Sequence, residues 1–422
     1  MEKKTFTLID LSEAPVYQYL NLNKYARGAR ALALADSNSL VLLPKHRTVV
    51  ALKKLYEAVL WQNKTNIECL WIDNPTYCLD QDILASPQYM KAIRQRLHKA
   101  VANGFEIHTM AHQYNPYFEQ WMQQMGVPFI SNLDDQTWYN QYHSKALLHR
   151  HIQTPNEPSV IERYVPEVKV TQGFVASNIN QGIEAFRRLK DLGVQNILAK
   201  AVEGTSGQGI TGLEDWSDIE ELSWEQDDYI ITEKLPVDTN VLGAEANAVI
   251  LFHKQKIFNP PHTMLMDGYS MDGSIMPFLS NPQQHKNLFK QVNPLLKWLV
   301  STGMKGDGGL DFIFSENEAY LVDNNLGRMS GTHLATYFQK SHVSANLPFI
   351  YFKIDYNQQN IEEVWAQLKA SNLAFCSETQ TGIFPIFYLQ GIAGVMAAFA
   401  PTNLEAHHML DLCAEMFEVK VA

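Results

Sequence analysis

The 422-residue sequence contains no CxxC pair, and its four cysteines (Cys69, Cys78, Cys376 and Cys413) show no disulfide-rich spacing. That pattern fits reduced thiols in a cytosol, with the cysteines as core or incidental residues. The first third of the chain lacks GxGxxG, which removes the dinucleotide-binding fingerprint there, and no GK[ST] ends a glycine-rich loop, which removes the P-loop. There is no tandem repeat, low-complexity tract or heptad run. The opening MEKKTFTLID has basic residues but no apolar run behind them, so no secretory leader is expected and the predicted location is cytoplasmic. Long apolar runs are also missing. The stretch from Thr379 to Leu404 carries no charge, but Pro385, Gln390, Gly391 and Gly394 interrupt it. It falls short of the roughly 20 clean apolar residues of a membrane span and reads as two buried strands joined near Gln390-Gly391.

Positive charge is in deficit. With 34 Lys and Arg against 45 Asp and Glu the formal charge is -11, which argues against a partner gripped through net charge, whether nucleic acid or anionic membrane. What is present, 46% hydrophobic and 19% charged residues, suits a soluble globular chain long enough for two or three domains. Strand-like and helix-like runs alternate through the first third: ALALADSNSLVLLP, a helical spacing over Val49 to Trp61, IECLWID, a helix over Ser86 to Asn103, FEIHTM, a helix around Tyr117 to Met125, and VPFIS. The alternation predicts an open α/β sheet with Rossmann-like layering. Polar composition near Asn132 to Tyr142 marks a first boundary, and the chain divides as 1–135, 136–239 and 240–422.

GGLDFIFSENEAYLVDNN, from Gly308 to Asn325, reads as a β-hairpin with a polar break at Ser315 to Glu318. If the turn is centred near Asn317, Asp311 faces Asp323. Like charges opposed on one sheet face are destabilising, so a cation is expected between them. The two-residue period puts Leu321, Asp323 and Asn325 on one face. Two carboxylates and an amide oxygen suit Mg²⁺, which takes one or two carboxylates and leaves its other positions to water and phosphate. The alternative is an exposed hairpin with solvated acids.

Other signals are weaker alone. In NILAKAVEGTSGQGITG a strand ends at Lys200 and opens into a loop, Gly204 to Gly209, whose backbone amides would converge on phosphate oxygens. DYIITEKLPVD reads as a strand ending in Glu233, Lys234 and Leu235, an arrangement able to read adenine. In YHSKALLHRHIQTPNEP, Lys145 starts a helix-like run and by itself reads as a solvated surface residue. Met-Asp-Gly occurs at Met266 to Gly268 and at Met271 to Gly273; Asp267 or Asp272 would meet a substrate ammonium, although two ordinary turns explain the repeat better. His108 and His112 have the spacing of a helical zinc pair, but their segment reads as strand.

Taken in order, these pieces make the region from about Gln136 to Lys340 resemble the ATP-grasp superfamily, and GGLDFIF followed by YLVDNNLGRMSGTH is similar to its metal-binding hairpin. The resemblance implies a Rossmann-like pre-ATP-grasp domain at 1–135, a small nucleotide-lid subdomain at 136–239, and at 240–422 a large subdomain with the metal hairpin and a C-terminal extension, in α/β and α+β classes. By position it implies ATP phosphate contacts for Lys145 and Lys200 and a closing loop with Glu203, Gly204, Ser206, Gly207 and Gly209. It places Glu233, Lys234 and Leu235 at the adenine, Asp238 or Glu245 at the ribose, and Mg²⁺ on Asp311, Asp323 and Asn325. Lys200 would also be catalytic, and Arg328 with the backbone of Ser330-Gly331 would stabilise an oxyanion. One departure stands out. The family often has a single residue between the asparagine and the arginine, where this chain has Leu326 and Gly327. The implied activity is an ATP-dependent carboxylate-amine ligase acting through an acyl phosphate on small molecules, with a homodimer left open. Its rivals are a small-molecule kinase, a ligase to a carrier-protein thiol, and a nucleotide-binding regulatory module. The layout, with its TGIFPIF extension, is also similar to peptide ligases of specialised metabolism of the pheganomycin type.

Overall fold

The computed structural model describes residues 4–11, 26–76, 78–202, 209–225, 227–240, 243–253, 256–267, 270–327, 329, 331–343, 347–355, 359–390 and 393–417. The chain forms two compact units. The first comprises Met1–Gln136, Gly273–Met276 and Gly327–Val421, and the second Thr137–Asp272 and Pro277–Leu326, with Ala422.

In the first unit, β1 (Lys4–Asp10), β2 (Ser39–Pro44), β3 (Ile67–Ile72), β4 (Phe105–Ala111) and β5 (Phe129–Ser131) form a parallel sheet in the order β3-β2-β1-β4-β5. β2 is buried along its whole length, as a parallel strand covered on both faces should be. Helices Arg47–Val59, Pro87–Ala102 and Pro116–Met125 lie between the strands, and the last two start with proline after Ser86 and Asn115 caps. Leu8, Leu40, Leu42, Ile93, Leu97 and Trp121 are among the core residues. Two sequence expectations change here. The central strand is β1, within the segment read only for its lack of a leader, and the ALAL of ALALADSNSLVLLP folds as a 3₁₀ helix, Arg30–Leu34. His108 lies on β4 and contacts Glu106 at 3.2 Å. Residues four apart on extended chain are about 13 Å apart, too far to share an ion with His112.

The second unit holds a sheet of β6 (Arg150–His151), β7 (Gly173–Ala176), β8 (Ile197–Ala201), β9 (Ile210–Leu213) and β10 (Tyr229–Glu233), in the order β6-β7-β10-β8-β9. Helix Ile179–Asp191 packs Ala185, Phe186 and Leu189 into its core. The strands β11 (Asn247–His253), β12 (Lys256–Asp267), β13 (Ser270–Met276), β14 (Asp307–Ser315) and β15 (Glu318–Leu326) follow. β11 pairs antiparallel with β12 and with β14, and β14 with β15. Helix Pro282–Ser301 buries Leu288, Val292, Leu295 and Leu299 in one core with Leu310, Phe312, Phe314 and Leu321.

The remaining strands of the first unit are β16 (Phe349–Asp355), β17 (Gly382–Leu389) and β18 (Ala393–Phe399), where β16 pairs with β18 and with Gly273–Met276 of β13. The charge-free segment is thus an antiparallel strand pair, and no helix among the described residues is long and apolar enough to cross a membrane. The second Met-Asp-Gly is strand rather than the expected turn. A Cβ at Gly273 would sit 2.2 Å from the Tyr351 carbonyl oxygen, so only glycine lets β16 approach. Gly268 and the side chains of Asp267 and Asp272 lie outside the described residues.

Candidate active site

Glu316 and Asn317 both take left-handed backbone conformations, φ 52° and 62°, so the hairpin closes on a two-residue turn. The Asp238 carboxylate stabilises that turn by accepting from the Glu316 and Asn317 amides at 2.9 and 2.7 Å. The turn centre therefore lies between these residues and not on Asn317, and regular pairing would put Val322 opposite Asp311. A bulge intervenes: Phe312 pairs with Leu321, whereas Asp311 pairs with Asp323. Val322 is the additional residue. The expected opposition of the two acids holds, but the expected face of Leu321 does not. Leu321 points into the core, and beyond the bulge the buried positions shift to Asn324 and Leu326, leaving Asp323 and Asn325 on the other face. The change of phase between Leu321 and Leu326 was the sequence signal for it.

Cationic groups lie against this pair, as the opposed charges require. Lys145 Nζ is 2.9 Å from Asp323 Oδ2, Lys200 Nζ donates to the Val322 carbonyl at 2.5 Å, and Asn325 Nδ2 donates to Asp311 Oδ2 at 3.1 Å. Lys145 opens a one-turn 3₁₀ helix, Lys145–Leu148, capped by Ser144, and the Ser144 carbonyl accepts from Asn324 Nδ2 at 3.2 Å. It is only 7% exposed, so its reading as a solvated surface lysine is corrected: the hairpin acid supplies the partner that makes burial tolerable. Lys200, next to last on β8, is also buried. Burial pushes its pKa down, Asp323 and Asp311 oppose that, and Lys145 adds to it. His149, which ends the one-turn helix, is a site neighbour that sequence reasoning missed. Burial, reinforced by Lys200, lowers its pKa to about 3, so the imidazole is neutral.

The donor set fits Mg²⁺. Two opposed carboxylates supply hard oxygens, and a half-turn of the Asn325 amide exchanges its donor for Oδ1. Among the described residues no three His, Cys, Asp or Glu side chains come together, so a site needing three such ligands is not what this hairpin offers.

The other predicted residues are placed less closely. β10 ends at Glu233, so Lys234 and Leu235 lie just beyond the strand and not within it. Glu233 accepts from the Gln172 amide at 2.7 Å, Lys234 is exposed and Leu235 half-buried. Asp238 is committed to the hairpin turn, and Glu245 is exposed beside an isolated bridge to Thr239. Gly209 has φ +76°, and a Cβ there would lie 2.6 Å from Ala201 Cβ, so glycine is required where the loop rejoins β8. Glu203, Gly204, Ser206, Gly207, Arg328 and Ser330 lie outside the described residues, and Gly331 begins helix Gly331–His342.

No protein-family model and no curated protein matches the chain. Solved structures do. The chain is similar to N5-carboxyaminoimidazole ribonucleotide synthetase from Thermus thermophilus, with a TM-score of 0.56 and 10% identity over 99% of each chain. It is similar to biotin carboxylase from Campylobacter jejuni, solved as a beta-gamma-ATP complex, with a TM-score of 0.55 and 12% identity over 98% of this chain and 91% of that one. It is also similar to L-amino acid ligase from Bacillus licheniformis, with a TM-score of 0.51 and 11% identity over 98% of each. At such identities the likeness establishes the fold: an N-terminal α/β domain followed by an ATP-grasp fold.

Proposed function

We propose that the protein is an ATP- and Mg²⁺-dependent carboxylate-amine ligase that makes an amide or peptide bond through an acyl phosphate and releases ADP and phosphate. The observation that carries this is the opposition of Asp311 and Asp323 with Asn325 beside them and two buried lysines against the same hairpin. The ligase and synthetase activities named for the similar structures support it.

Phosphoryl transfer needs positioning and neutralisation of charge more than a protein nucleophile. Lys145 and Lys200 serve that need: each would exchange its hairpin oxygen for a phosphate oxygen when nucleotide enters. Asp311, Asp323 and Asn325 would hold Mg²⁺, which when bound would screen the phosphates. Arg328 with the Ser330-Gly331 backbone is assigned to the oxyanion of the amide-forming step. The loop from Glu203 through Gly209 is assigned to closure over the phosphates, Glu233 to Leu235 to adenine, and Glu245, with Asp238 engaged at the turn, to ribose. On this reading 1–135, 136–239 and 240–422 are the pre-ATP-grasp domain, the lid and the large subdomain. The substrates are a small carboxylic acid and an amine, in the manner of peptide ligases of specialised metabolism, the proposed location is the cytoplasm, and a homodimer is left open.

The test is mass spectrometry after incubation with Mg-ATP, pooled amino and organic acids, and hydroxylamine. Hydroxamates with matching ADP and phosphate are expected, and their masses name the carboxylate. A phosphorylated metabolite without hydroxamate would replace the ligase by a kinase, and ATP left intact in every mixture would overturn the catalytic reading.

A further inference from the structure

The site continues across the sheet to a histidine that the motifs did not single out. Asp323 pairs with Asp311, Asp311 with Val249 on β11, and Val249 with His262 on β12. Directly paired residues share a face, so these four form one row. That face is opposite to the core, because Ala248, Ile250 and Phe252 alternate with Val249 into the core with Leu310 and Phe312. Neighbouring strands lie about 4.8 Å apart, which puts the His262 backbone on the order of 10 Å from that of Asp311. Both lysines attach at the β15 end of the row, to Asp323 and to the Val322 carbonyl. On the ligase reading, phosphates held by these lysines would put the activated carbon, and the amine attacking it, on the β11 and β12 side. His262 is 1% exposed, so it is withdrawn from bulk water.

We propose that His262 is the general base of the amide-forming step, an assignment that rests on the ligase reading. Its unprotonated ring nitrogen takes one proton from the substrate ammonium. The freed amine nitrogen then bonds to the acyl carbon, the bond from that carbon to the phosphate oxygen breaks, and the second nitrogen proton leaves with the phosphate. The imidazolium then gives its proton to the departing phosphate, which leaves carrying both protons.

The two nucleophiles separate the roles. Hydroxylamine is largely unprotonated at neutral pH and needs no base, whereas the pooled amino acids present ammonium groups. In His262→Asn, hydroxamate formation should stay within about twofold of wild type while amide formation from the amino-acid pool falls about a hundredfold. Parallel loss of both products, or retention of both, overturns the assignment. Wild-type protein that makes no hydroxamate overturns the ligase reading first, and this assignment falls with it. A thermal melt of each variant checks folding, and His262→Gln replaces a variant that does not fold.

Discussion

Lys200 Nζ donates to the backbone carbonyl of Val322, the residue that the bulge adds to β15. One irregularity therefore moves Asp323 opposite Asp311 and supplies the oxygen that holds a buried ammonium in place. Lys200→Met keeps most of the side-chain volume and removes the charge. It should weaken ATP binding by about 1.5 to 3 kcal/mol, the range of a charge-assisted hydrogen bond. Isothermal titration that returns wild-type affinity would remove Lys200 from the phosphate site.

Asp323 pairs with Lys145 as well as facing Asp311. Asp323→Ala should abolish turnover with the fold retained, at a stability cost of up to about 3 kcal/mol because it removes the carboxylate paired with a buried ammonium. Asp323→Asn keeps the shape and should show the same loss of turnover with a smaller cost. Near-normal ATP consumption by either variant would refute the metal assignment.

Asp238 and Glu245 were equal ribose candidates, and the hydrogen bonds of Asp238 separate them. Asp238→Ala leaves two turn amides without their carboxylate acceptor and should cost about 1 to 2 kcal/mol in denaturant unfolding with ATP affinity unchanged. A loss of ATP affinity without loss of stability would reverse the assignment.

Acid should weaken the second unit through His149. Its ordinary pKa of 6.5 falls to about 3 on folding, so below 6.5 the unfolded chain binds a proton that the folded chain refuses. Stability is full above 6.5 and is lost as pH drops toward 3, with a slope approaching about 1.4 kcal/mol per pH unit from this one group. His149→Gln should flatten that slope in urea unfolding compared at neutral pH and at about pH 5. An unchanged slope would mean that His149 is not protonated selectively in the unfolded state.

Much of this was legible without coordinates because it is local. The alternation of β2 to β5 with helices, the pairing of β17 with β18, and a hairpin bearing Asp311 and Asp323 follow from side-chain period and turn-forming residues within a few positions of one another. The order of lysine, strand, glycine loop and acidic hairpin carried the ATP-grasp resemblance for the same reason.

Tertiary structure decided what depends on partners distant in sequence. β1 is central because β2 and β4 flank it, although its own segment carries a weak signal. Lys145 is buried because Asp323 lies against it, and Asp238 serves the turn because the hairpin folds back to it. Which face Leu321 takes was settled by a single inserted residue that alternation alone does not place. His262 joins the acids through backbone pairing across four strands, and its own neighbours in sequence carry no trace of that pairing. Periodicity is a property of neighbours in the chain, whereas burial, ion pairing and register are properties of the assembled sheet, where the cost of an uncompensated charge selects one arrangement.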